Sequence, residues 1–315
     1  MTRNNDLTMR PINGREEIDL FNRLSYVFDH ELAGDLDSGR RRPERMWMAL
    51  RGDRLPARIA WWSRGEGEPP FMLDVFDLDD TLPESERRDV GTRLLETATA
   101  AVIPPGAPRI EYSRFVPPGW RDDATARRVV EDRMAVLEAA GARLLVERLR
   151  LEWRPGTTIP EPSGRLRFRP VRDRGELVEL MTLVLEGTLD AHSHADLAMM
   201  TPAQAAAAQY DDEMARYRSP REWWQTATTP DGDPVGFVIP ARNNYRPIIA
   251  YIGVLPAYRG KGYIDDLLAV GTRILATHEN SEIRASTDLG NVPMAHAFRR
   301  AGYVEFEREI NMTWS

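Results

Sequence analysis

The chain repeats itself, and this constrains its fold more than any other feature of the sequence. Leu7-Thr-Met-Arg10-Pro11-Ile12 returns as Leu166-Arg-Phe-Arg169-Pro170-Val171, 159 positions later. Glu17-Ile-Asp-Leu-Phe21 and Glu176-Leu-Val-Glu-Leu180 follow at the same spacing, and each reads as the opening of an amphipathic helix after a first strand. The far ends agree as well: Leu137, Gly141 and Leu151-Glu-Trp153 line up with Phe298, Gly302 and Met312-Thr-Trp314. Agreement at both ends, in order, predicts two domains of one kind, 1–153 and 165–315. Between them, 154–164 holds three prolines and two glycines and reads as an extended linker. At 315 residues each copy is long enough to bury its own core.

Within each copy the predicted order is strand, helical region, three strands with tight turns, helix, strand, helix and a last strand. The fold class is therefore α+β, with a mixed, mostly antiparallel sheet flanked by helices. In the second copy the meander is read over 223–229, 235–239 and 248–254, with turns at Asp231-Gly232-Asp233 and Asn243-Asn244. In the first it is read over 47–50, 59–62 and 71–75. The tryptophans in these strands are expected to pack the sheet.

Composition removes several classes of function. Hydrophobic residues at 42% and charged residues at 29% are those of ordinary globular domains. No apolar run approaches the roughly 18 residues of a spanning helix, and Met1–Asp6 lacks the apolar core of a signal peptide. A cytoplasmic chain without membrane contact is expected. The absence of cysteine excludes disulfides, thiolate metal sites and a cysteine nucleophile. A net charge of −7 argues against nucleic acid as a partner. Two of the five histidines, His192 and His194, lie between Asp190 and Asp196, but the stretch reads as a substrate-side loop, and no metal site is expected.

The richest stretch is 248–268. An apolar strand ends in Ile252-Gly253-Val254, passes through Leu255-Pro256-Ala-Tyr-Arg259-Gly260-Lys261-Gly262-Tyr263-Ile264, and enters a helix with Leu267 and Leu268 on its apolar face. Glycines let successive amides converge, and the first turn of a helix leaves N–H groups without intrahelical partners, at the positive end of its dipole. That combination makes an anion cradle, to which Arg259 and Lys261, the only lysine, would add charge. A solvated turn joining strand to helix is the plainer alternative. The spacing is neither that of a Walker loop nor that of a dinucleotide-binding fingerprint.

Val254-x-Pro256-x-x-Arg259-Gly260-x-Gly262 after a strand, followed by Asn291-x-Pro293, Phe298 and Gly302-Tyr303, resembles the GNAT superfamily of acyl-CoA-dependent N-acetyltransferases. The resemblance covers 166–314 and extends more faintly, through the repeat, to 7–153, an organisation like that of the two-copy mycothiol synthases. It implies acetyl-CoA as co-substrate and a small-molecule amine or peptide as acceptor. It implies that the amides from Arg259 through Gly260, Lys261, Gly262, Tyr263 and Ile264 hold the pyrophosphate, although Ile264 stands where the family has a small residue. Ile252, Gly253 and Val254 would meet the pantetheine arm, with Asn291 and Phe298 beside it. Gly253 suits close approach by a ligand, or is a bulge glycine; Asn291 caps its helix, contacts the coenzyme, or both.

Where many members carry the tyrosine that protonates the leaving thiolate, this chain has Phe298, so Tyr303, Tyr251 or water would substitute. For a base, Asp288 is the first candidate, with Glu213 and Asp190 behind it. In the first copy, setting Leu94-Leu95 against Leu267-Leu268 puts Glu86 at Arg259 and Asp89 at Gly262. Carboxylates there would repel a diphosphate, so the first copy is expected to have lost coenzyme binding. The expected activity is transfer of an acetyl group to a primary amine by direct attack in the second copy. A non-catalytic acyl-CoA-binding protein and a tRNA-dependent aminoacyl transferase of related architecture are the alternatives.

Overall fold

A computed structural model describes residues 7–107 and 110–314; Met1–Asp6, read above for targeting, lie outside the described residues. The first half runs β1 (Thr8–Pro11), α1 (Ile18–Phe21), α2 (Leu32–Asp37), β2 (Met46–Arg51), β3 (Arg54–Ser63), β4 (Pro70–Leu78), α3 (Glu84–Val102), β5 (Tyr112–Val116), α4 (Ala124–Ala139) and β6 (Arg143–Trp153). The second runs β7 (Arg167–Pro170), α5 (Arg174–Val184), α6 (Ala191–Leu197), α7 (Pro202–Asp212), β8 (Gln225–Thr228), β9 (Pro234–Arg242), β10 (Pro247–Val254), α8 (Tyr263–His278), β11 (Ile283–Asp288), α9 (Val292–Arg300) and β12 (Val304–Thr313). The α+β order expected for both copies is the one observed. No helix among the described residues is long and apolar enough to cross a membrane.

The chain forms two compact units, one of residues 1–147 with 309–315 and the other of 148–308. In the first, strands follow β1-β2-β3-β4-β5 and then the end of β12; in the second, β7-β8-β9-β10-β11 and then the end of β6. The halves 1–153 and 165–315 therefore do not coincide with the units: each gives up the end of its last strand. β6 pairs antiparallel with β11 from Ile283↔Trp153 to Asp288↔Arg148. The period of two then carries Leu149, Leu151 and Trp153 into the core of the second unit. Ile310 and Met312 enter the core of the first, and the Trp314 indole donates to the Ala140 carbonyl at 3.0 Å. Both strands end in the same alternating apolar pattern, so sequence alone does not distinguish which core each serves.

The repeat is reproduced at the level of single hydrogen bonds. Arg10 grips Glu17 with both terminal nitrogens, at 2.7 and 2.6 Å, and Glu17 also accepts from the Asn13 amide. Arg169 takes Glu176 in the same way, and Glu176 accepts from the Arg172 amide at 2.7 Å. In each case the arginine leaves the first strand and the carboxylate opens the following helical region. These bonds hold both carboxyls far down, Glu17 and Glu176 each to about 2.

Candidate active site

The site is built where two parallel strands part. β10 meets β11 at the single register pair Ile248↔Arg284, and the two strands diverge from there. On its other side β10 stays paired with β9 to Val254↔Gly236, with a bulge at Ala250 between the pairs of Ile249 and Tyr251. A bulge adds twist and turns the following residues. Beyond it, the edge of β10 facing β11 has main-chain groups that the sheet does not consume. Into this opening fits a cavity of about 450 Å³, lined by Tyr251, Ile252, Gly253 and Val254 on one strand and by Ser286 and Thr287 on the other.

One end of the cavity is the turn leading into α8. Gly260 and Gly262 both adopt left-handed backbone, φ 75° and 76°, and Gly262 is the N-cap of the helix. This conformation strains any residue with a Cβ. The amides of a helix's first turn have no intrahelical partners, and here Gly260, Gly262, Tyr263 and Ile264 line the cavity. The turn is braced from outside by residues the sequence reading passed over. Ser163, at the end of the linker, donates amide and hydroxyl to the buried Asp266 carboxylate, each at 2.7 Å. Arg165 donates to the Lys261 carbonyl at 2.9 Å and lies 4.6 Å above the Tyr263 ring.

The two cations expected to add donors to this cradle are used otherwise. Arg259 lines the cavity, but its guanidinium donates to the carbonyls of Val184 at 2.8 Å, Glu186 at 2.6 Å and Val254 at 3.1 Å. It thus ties the last turn of α5 to the end of β10. Lys261 folds back to the Ala257 carbonyl at 3.0 Å and is not part of the lining. What the turn offers an anion is mainly main-chain N–H. Gly253 is needed for packing: a Cβ there would stand 2.9 Å from the Val184 side chain, so α5 can seat on the strand only over glycine.

Of the remaining sequence candidates, Asn291 and Phe298 line the cavity, and Asn291 also caps α9 through the Met294 amide at 3.3 Å. Tyr251 lines it too; burial, reinforced by the Asp190 and Glu213 carboxylates, pushes its phenol well above the usual range. Tyr303 does not reach it. Its ring packs against Phe298, and its hydroxyl shares a 2.8 Å bond with Thr272 in the core. Asp288 also stands behind the lining: it is 3% exposed, accepts from the Ala191 amide at 2.6 Å and has Arg148 Nε 3.2 Å from its other oxygen. Burial raises its pKa. Asp190 caps α6 through the Ser193 amide at 2.8 Å and lines the cavity, whereas Glu213, bonded to the Tyr217 hydroxyl, does not. Arg148, from β6, completes the wall; no local signal in the sequence marks it, because its neighbours there arrive from distant segments. Among the described residues no three His, Asp or Glu side chains gather as a metal ion would need.

The first unit has the same parting of strands and fills it. β4 and β5 meet at the single pair Leu73↔Tyr112. Beyond it, Arg114 donates to the Phe76 carbonyl and to Asp77, and Arg133 donates to the Leu78 carbonyl. The alignment that set Glu86 and Asp89 against the glycine turn is corrected here: both lie inside α3, whose preceding turn is Asp79–Pro83. Apolar pairs recur along a helix, as Leu267-Leu268 and Ile274-Leu275 do in α8, so the single pair Leu94-Leu95 of α3 does not fix the alignment. The true turn has no glycine, and its Asp80 is clamped by Arg133 at 3.0 Å on both oxygens.

Residues 190–303 match the family model described as "Acetyltransferase (GNAT) family". Among solved structures, a GCN5-related N-acetyltransferase from Sphaerobacter thermophilus is similar with a TM-score of 0.62 at 15% identity, covering 97% of this chain and 94% of that one. A tandem GNAT protein from the clavulanic acid biosynthesis pathway gives 0.51 at 15% identity, covering 98% of each chain. A GNAT-family acetyltransferase from Colwellia psychrerythraea gives 0.51 at 11% identity, covering 98% and 100%. No curated protein sequence matches. The chain therefore carries a domain of the GNAT acetyltransferase family in its second unit, on a fold it shares over nearly its whole length with solved structures of that name.

Proposed function

We propose that the second unit transfers an acyl group, acetyl in the simplest case, from coenzyme A to a primary amine by direct attack. The observation that carries this reading is the parting of β10 and β11 after Ile248↔Arg284, which leaves a strand edge open along a cavity that ends at two left-handed glycines. A flexible arm with amide groups can pair with that edge as a further strand would. Its diphosphate would fall to the amides of 260–264, where backbone donors and the helix dipole favour negative charge. The residues present suit the coenzyme without side-chain cations, since those of Arg259 and Lys261 are bonded to carbonyls.

The chemistry asks for a polarised thioester carbonyl, a neutral amine and a proton for the departing sulfur. Amides of Ile252–Val254 supply the first. Attack forms the N–C bond and breaks the C–S bond; the amine's proton leaves through water at Asp190, and the thiolate takes one from solvent or from Tyr251. Because burial keeps the Tyr251 phenol protonated, it can act as a donor at neutral pH. Phe298 in the lining favours a second reading, a protein that binds acyl-CoA without turning it over. Calorimetric titration with acetyl-CoA, followed by thiol release with a panel of amines, tests both. One site per chain with turnover is expected; binding with no turnover by any amine supports the second reading, and no binding ends both.

A further inference from the structure

Two carboxylates, Asp265 and Asp266, stand in the first turn of α8, beside the amides to which a diphosphate is assigned. Each has an arginine. Asp265 pairs with Arg300 at 2.7 Å on the surface. Asp266 is 4% exposed and accepts from the amide and the hydroxyl of Ser163, each at 2.7 Å. The Ser163 hydroxyl oxygen in turn accepts from Arg165 Nε at 2.9 Å, while Arg165 Nη1 donates to the Lys261 carbonyl at 2.9 Å. With the Tyr263 ring 4.6 Å beneath it, this guanidinium is fixed against the turn at three points. Its remaining nitrogen, Nη2, makes no hydrogen bond among the described residues. It stands 3.7 Å from Asp266 Oδ2, beyond hydrogen-bond reach, and 3.7 Å from the point that a Cβ of Gly262 would occupy. Arg165 is not part of the cavity lining, and 47% of its side chain is exposed.

Resting on the acyl-transfer reading, we propose that Arg165 is a coenzyme-binding residue, its Nη2 donating to a phosphate of the coenzyme beside Gly262, and that Ser163 and Asp266 are its positioning residues. Arg259 and Lys261 are bonded to carbonyls, so the side-chain cation at the turn comes from the segment before β7 and not from the glycine motif. A guanidinium matches the geometry of a phosphate, and one held at its other two nitrogens loses little freedom on taking it. Its charge also offsets that of the buried Asp266, which would otherwise act against an anion at the amides. The diphosphate and the ribose phosphate of the coenzyme present the same oxygens to such a donor.

Calorimetry on the full-length protein, with acetyl-CoA and with acetyl-dephospho-CoA, which lacks the ribose phosphate, tests this. Arg165→Gln is expected to weaken acetyl-CoA at least about tenfold at about 50 mM salt, and the gap should shrink at about 0.5 M, where exposed charges are screened. Arg165→Lys keeps the charge without the fork and should lose clearly less. Ser163→Ala should lose less than Arg165→Gln and add nothing to it in the double variant, since it acts through Arg165; additive losses would remove Ser163 from the arrangement. A loss confined to acetyl-CoA places Arg165 at the ribose phosphate, and an equal loss with both compounds places it at the diphosphate; either supports the proposal. An affinity of Arg165→Gln within about twofold of wild type, or a loss of the same size at both salt concentrations, as a brace of the turn alone would give, overturns it and leaves the coenzyme site standing. Failure of acetyl-CoA to bind the wild-type chain overturns the acyl-transfer reading itself.

Discussion

Arg114 on β5 donates to the Phe76 carbonyl on β4 at 3.1 Å, across the opening that the two strands leave beyond Leu73↔Tyr112. The first unit thus engages with its own side chains the opening that, in the second, borders the cavity. Asp77 is the hub of the filling: it is 1% exposed and contacts Arg58 at 2.9 Å and Arg114 at 3.0 Å. Burial alone would raise its pKa, but the surrounding guanidiniums of Arg114, Arg58 and Arg133 outweigh it and hold it low. Asp77→Ala leaves buried arginines without their counter-charge and is expected to cost about 3–5 kcal/mol in urea unfolding. Wild-type protein should bind one acetyl-CoA per chain by calorimetry; two equivalent sites would contradict the assignment of the first unit as closed.

The glycine turn gives the sharpest test of the coenzyme site. Gly262 has φ 76°, so Gly262→Asp adds backbone strain of about 1–2 kcal/mol and sets a carboxylate among the amides that face the cavity. Loss of acetyl-CoA affinity by at least about a hundredfold is expected, as like charges meet where solvent is partly excluded, with the circular dichroism spectrum retained. Gly262→Ala adds the strain without the charge and should lose clearly less. Equal losses in the two would assign the effect to backbone shape alone.

The repeat, though not the bounds of the units, could be read from the chain because its chemistry is local: Arg10 with Glu17 and Arg169 with Glu176 are seven positions apart and recur in register. The strand–turn–helix at 248–268 could be read for the same reason, its left-handed positions being marked by glycine. What could not be read depends on partners far along the chain. Arg259 is directed to α5 by carbonyls more than 70 positions earlier, and Arg148 meets Asp288 because β6 joins β11. The choice of core by Trp153 and Trp314 is likewise settled by strand pairing, since their flanking patterns are alike. Tyr303 looked available only because its bond to Thr272 crosses from α8, which spacing around Asn291 does not reveal.

The acid limb of stability should show the paired carboxylates. Glu176 is held at about 2, chiefly by its hydrogen bonds from Arg169, against 4.5 for a free side chain. A depressed pKa contributes stability that is complete above the unfolded value and is lost as pH falls through the folded one. Glu176→Gln is therefore expected to lower stability at pH 7 by about 1–2 kcal/mol, the half-exposed Arg169 being screened by water. The gap between wild type and variant in urea midpoint should narrow from pH 4.5 downwards and close near pH 2. A gap independent of pH would mean that packing, not charge, sets the cost.

Two tyrosines separate chemistry from scaffold. Tyr251 lines the cavity, and its phenol is pushed up by burial, so it stays an O–H donor through the alkaline range in which a free phenol ionises. Tyr251→Phe removes that donor while keeping the ring against Phe237. A fall in kcat of about a hundredfold is expected, with acetyl-CoA affinity within about twofold of wild type, as for loss of a general acid. Tyr303→Phe loses the hydroxyl shared with Thr272, at a cost near 1 kcal/mol in the core, and should leave kcat unchanged. If both variants keep full turnover, the thiolate takes its proton from water. If Tyr303→Phe alone is inactive, the cavity wall must open to reach it, and the division drawn between Tyr251 and Tyr303 is wrong.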